Sequence, residues 1–81
     1  MEDEVNQFIS VKAYFSSGKV FPYLISYNKR EIPIRKINIS YKTKDGDLTV
    51  FNFSLSGSGA TYAVVFYPER LLWKLLKISP N

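Results

Sequence analysis

Residues 32–56, IPIRKINISYKTKDGDLTVFNFSLS, hold three alternating hydrophobic runs that do not share one phase. Ile32 and Ile34 occupy even positions, whereas Ile37, Ile39 and Tyr41 occupy odd ones. A strand exposes successive side chains to opposite faces, so it cannot change its inner set without an extra residue or a bend. The phase break at Arg35–Lys36 therefore predicts a β-bulge or a sharp bend, a device that lets a small sheet curl over itself. Asp45–Gly46 then supplies a hairpin signal, because both residues tolerate positive φ. The return strand, Leu48 to Ser56, places Thr49, Phe51, Phe53 and Leu55 on one face. This pattern commits the chain to an antiparallel β architecture.

The flanking segments read the same way. Phe8 to Phe15 alternates Ile9, Val11, Ala13 and Phe15 against Ser10, Lys12 and Tyr14, and Ser16-Ser17-Gly18 ends it. Val20 to Tyr27 is apolar on both faces, with Pro22, which lacks an N–H, expected at a strand start or an edge. After Gly57-Ser58-Gly59, Ala60 to Tyr67 turns Tyr62, Val64 and Phe66 inward. The segment 68–78 has two readings. Arg70, Lys74 and Lys77 recur at helical spacing opposite Leu71, Leu72, Leu75 and Leu76, as in an amphipathic helix opened by Pro68 and capping the barrel. As a sixth strand, it would place Trp73 and Leu75 on one face. The expected fold is mainly β, a small antiparallel five- or six-stranded barrel-like meander.

Composition narrows the chemistry. With 81 residues there is room for one core, and 46% hydrophobic and 16% aromatic residues are enough to fill it. The chain has no Cys and no His, which removes disulfides, thiolate metal sites, Ser-His catalysis and zinc-type ligation together. Glu2, Asp3 and Glu4 suggest an acidic flexible tail over 1–7, leaving 8–81 as the single β domain. No apolar run approaches membrane-spanning length and the first residues are acidic, so a cytoplasmic location is the expectation. The formal charge is +4, but from Val5 onward 11 basic minus 4 acidic side chains leave +7.

Pro22, Ile25, Tyr27, Arg30, Ile32 and Ile34, with Tyr62, Val64, Trp73 and Leu75 near the end, form a pattern of hydrophobic spacing. This pattern resembles a group of small bacterial all-β domains of unknown function. Tyr27 stands where that group has Trp, and Lys29 stands where its turn has Gly. The resemblance implies a barrel in which Trp73–Leu75 is a strand. It implies no activity, and the attachment of some members to DNA polymerases implies nucleic acid as a partner.

The densest charge lies between Lys29 and Lys44. If Ile37, Ile39 and Tyr41 face inward, then Lys36, Asn38, Ser40 and Lys42 form a polar stripe on the outer face, suited to phosphates. Lys12, Tyr14, Arg30, Arg35 and Lys44 extend this candidate nucleic-acid surface. The plainer reading is a solvated face whose lysines discourage edge pairing. The carboxylates beyond the tail, Glu31, Asp45, Asp47 and Glu69, fall mostly in turns and supply no acid–base pair. Ser56-Gly57-Ser58-Gly59 lacks the Lys-Ser/Thr of a phosphate loop, and the acceptor patterns at Asn38 and Asn52 fall in strands. The expectation is a non-enzymatic binding or adaptor module without cofactor or metal, with nucleic acid its leading partner. The alternative is a structural protein–protein module, as a homodimer or with another protein, using a sheet edge or the apolar outer positions Val20 and Leu24.

Overall fold

The phase break at Arg35–Lys36 is the point where the chain leaves one edge of the sheet for the other. In the computed structural model, which describes residues 2–81, the run 30–45 is two strands, β3 (Arg30–Pro33) and β4 (Lys36–Asp45). The others are β1 (Asp3–Ser16), β2 (Lys19–Tyr27), β5 (Leu48–Ser56), β6 (Ala60–Tyr67) and β7 (Leu72–Pro80). All neighbours are antiparallel, in the order β3-β2-β1-β7-β6-β5-β4, so β3 and β4 are the two outermost strands. The result is a curled half-barrel of seven strands, against the five or six expected.

Two features produce the curl. Long β1 changes partner midway: Asp3 to Ile9 pairs with β7, and Ser10 to Ser16 pairs with β2. The crossing then ties the margins together, because the Ile34 N–H donates to the Tyr23 carbonyl at 2.9 Å and the Arg35 N–H to the Ser56 carbonyl at 2.7 Å. Beneath the crossing Gly57 is buried, and a Cβ there would stand 2.9 Å from the Tyr62 ring and 3.1 Å from Ile32. Only glycine fits that approach.

Tight turns join the strands. Ser17–Gly18 and Asn28–Lys29 are two-residue loops with positive φ at both positions, the mirror-image turns whose twist matches a hairpin. Lys29 holds φ +62°, a conformation that glycine adopts without strain. In the β4–β5 hairpin the loop is Gly46–Asp47, one residue later than the Asp45–Gly46 signal, since Asp45 still pairs with Leu48.

The helical reading of 68–78 is corrected. Pro68 to Leu71 is a turn in which the Arg70 N–H donates to the Tyr67 carbonyl at 3.1 Å and Leu71 takes φ +56°. β7 follows, and a bulge at Leu76 explains the misleading charge spacing. Leu75 pairs with Val64 but Lys77 pairs with Ala63, so Lys74 and Lys77 share the outer face at a helix-like interval of three. The tail reading is corrected also. Met1 lies outside the described residues, but Asp3 to Gln7 form the start of β1, with Asp3 opposite Ile78 and Glu4 opposite Lys77. Glu2 and Lys77 make an exposed ion pair at 2.9 Å, whose hydrogen bond and charge lower the carboxyl pKa and raise the ammonium pKa.

The core lies inside the curl. Ile25, Leu55, Val64 and Leu75 are the most deeply buried side chains, and Trp73 stacks on Phe66 at 4.5 Å and meets the tilted Phe53 ring at 5.8 Å. Burying each such side chain contributes about 1.5–3 kcal/mol, so β5, β6 and β7, which hold most of the buried side chains, carry most of the stability. Among the described residues no helix is long and apolar enough to cross a membrane.

Candidate functional site

Closure at the crossing leaves the rest of the margin open. β3 pairs with β2 only from Leu24 to Tyr27, so among the described residues Lys19 to Pro22 have no strand on that side and the outer edge of β4 has none along its length. Between them lies a half-open cleft of about 380 Å³. Its floor is Ile37, Phe51 and Phe53, one wall is Val20 and Phe21, and Ser40, Tyr41 and Lys42 form the other.

A second bulge decides which side chains enter it. Ile37 pairs with Leu55 and Ile39 pairs with Ser54, leaving Asn38 unmatched. Directly opposed residues share a face, so beyond Asn38 the phase of β4 is reversed. Ser40, Lys42 and Lys44 lie on the concave face of Phe53, Phe51 and Thr49, while Ile39 and Tyr41 point outward, 59% and 57% exposed. The expected outer stripe of Lys36, Asn38, Ser40 and Lys42 is thus overturned, since Lys36 and Asn38 stay on the convex side and Ser40 and Lys42 do not.

The other expected residues scatter. Lys42 Nζ sits 5.6 Å from the Phe51 ring centroid, and Lys44 Nζ donates to Thr49 Oγ1 at 3.1 Å. Asn38 Nδ2 donates to Ser56 Oγ at 2.8 Å, which holds the bulge. Arg35 lies in the crossing, Lys36 opens β4 opposite Ser56, and Arg30 ends the β2–β3 turn, all exposed. Lys12 and Tyr14 share the outer face of the β1–β2 hairpin. Tyr14 stacks on Phe21 at 4.8 Å and lies 6.4 Å from Tyr23, so its ring continues the cleft wall outward. Of the expected residues Ser40 and Lys42 line the cleft, Tyr14 meets its wall through Phe21, and Lys12, Arg30, Arg35, Lys36, Asn38 and Lys44 lie away from the lining.

Sequence reasoning missed Lys19, Phe21 and Phe51 as cleft residues. Ser17–Gly18 marks the turn that carries Lys19, but nothing local states that this hairpin stands opposite β4. Val20, expected outside, packs against the core from the cleft side, and Leu24 is half-buried opposite Lys12. Among the described residues no carboxylate lines the cleft, and Lys19 and Lys42 have no acidic partner. Among those residues no three His, Cys, Asp or Glu side chains gather as a metal site requires. Comparison with known protein families, with curated proteins and with solved structures finds no match to this chain.

Proposed function

We propose that the chain is a non-enzymatic binding module that holds a single-stranded nucleic acid along the cleft between β2 and β4. The observation supporting this is the make-up of that cleft, where Phe21 and Phe51 stand beside Lys19 and Lys42 and no acid is among its lining residues. Single strands are bound by this combination: bases stack on aromatic rings for about 1–3 kcal/mol each, and lysines follow the phosphates. Tyr14 and Tyr23, both exposed, extend the stacking surface beyond the rim, with Lys12 on the same face as Tyr14. Glu31, Asp45, Asp47 and Glu69 are all exposed and none lies in the cleft, which favours binding over acid–base chemistry.

A fluorescence titration with a single-stranded oligonucleotide and with a duplex of equal length tests this reading. The single strand is expected to bind more tightly, because its bases are free to stack. Tyr14→Ala and Phe21→Ala should each weaken binding about tenfold, the lower part of the stacking range. Equal affinity for the duplex with no effect of either substitution would reject it. The unpaired edges of β2 and β4 favour a second occupant, an extended acidic peptide added as a strand. Such a peptide would displace the oligonucleotide if both use the cleft.

A further inference from the structure

We propose that the convex face of the β1-β7-β6-β5-β4 sheet docks a second copy of this chain through an isologous contact centred on Phe8 and Leu72. Val50 and Val65 are only 4% and 5% exposed although the register puts them on the face opposite Phe51 and Phe66, away from the core. This face is therefore apolar in its own right. Phe8 at 61% exposure, Leu72 at 39% and the half-buried Leu48 and Tyr67 surround a shallow depression of about 360 Å³. Lone exposed apolar residues are ordinary, but a contiguous set over a buried apolar layer marks an interaction surface.

Charge selects the occupant. The same depression is bounded by Asp45 on the β4–β5 hairpin and by Arg70 on the β6–β7 turn, both exposed. Asp47 lies beside the first, and Lys74 Nζ stands 5.7 Å from the Phe8 ring. The chain as a whole is basic and repels its own copies, yet this patch carries both signs flanking an apolar centre. A two-fold axis through that centre sets Arg70 of one copy against Asp45 of the other, twice, which is the self-complementarity a closed dimer requires. A uniformly anionic partner would meet Asp45 unfavourably.

Sedimentation across a concentration series, with circular dichroism to verify folding, tests the proposal. Wild type should dimerise, and Leu72→Glu should give a folded monomer. Arg70→Asp and Asp45→Arg should each weaken the dimer roughly tenfold or more, because a like-charge contact replaces an attractive one. The double variant, Arg70→Asp with Asp45→Arg, should restore it. A wild-type monomer at every concentration, a dimer that survives Leu72→Glu, or a double variant no better than the singles would overturn the proposal. So would a monomer that binds anionic lipid vesicles through Phe8 and Leu72, since that gives the face to a membrane surface. Oligonucleotide binding at the opposite, concave side is read separately, so failure here leaves the cleft reading intact.

Discussion

β4 and β7 are strands of nearly equal length with opposite fates. β4 reads as a strand and sits at an edge with only Ile37 half-buried, whereas β7 reads as readily as a helix and lies between β1 and β6 with Trp73 and Leu75 buried. Regular alternation thus reports that a segment is extended, not how much of the fold rests on it. The number of paired neighbours decides that. A strand held on both sides orders its backbone and buries its inner face, while a strand held on one side keeps backbone groups and side chains free for a partner.

The largest effect should follow from breaking β7. Leu75 is 0% exposed and packed in the central cluster, so Leu75→Ala should cost about 2–5 kcal/mol in chemical denaturation. That is a large share of the stability of an ordinary domain. The crossing that frees β4 should be next. Gly57→Ala pushes a methyl against Tyr62 and Ile32, both buried, and should cost about 1–3 kcal/mol. Lys29→Gly should act in the other direction, raising stability by about 0.5–1 kcal/mol, as relief of positive φ outweighs the entropy of glycine. The smallest change belongs to β4, where Ile39→Thr on the exposed convex side should stay within about 0.5 kcal/mol. If Ile39→Thr proved as costly as Leu75→Ala, the contrast between the two strands would collapse.

Much of the fold was legible in the residues. Period-two patterns located β2, β5 and β6 closely, and the break at Arg35–Lys36 announced a change of direction. What it could not announce was a change of edge, because the bonding of Ile34 to Tyr23 on β2 and of Arg35 to Ser56 on β5 is a property of the curled sheet as a whole. Bulges account for most of the remaining error. One at Asn38 reversed the face of Lys42, and one at Leu76 gave Lys74 and Lys77 a helical interval; each inserts a residue that no local preference reveals. The acidic start read as a tail because its partners, Lys77 and Ile78, are more than seventy residues away in sequence. At the site, Lys42 and Tyr14 were found by charge and aromatic character, while Lys19 and Phe21 became visible only when the β1–β2 hairpin was set across from β4.

The cleft reading is tested most directly by the salt dependence of single-strand binding in wild type and in three lysine variants. Each phosphate contact to a single strand contributes about −0.7 to the slope of log affinity against log salt. Lys19→Ala and Lys42→Ala should each make the slope shallower by about 0.7, and Lys77→Ala, on the convex face beside Glu2, should leave it unchanged. Wild-type binding that is absent at low salt, or a slope that Lys19→Ala and Lys42→Ala fail to move, would contradict a nucleic-acid site between β2 and β4.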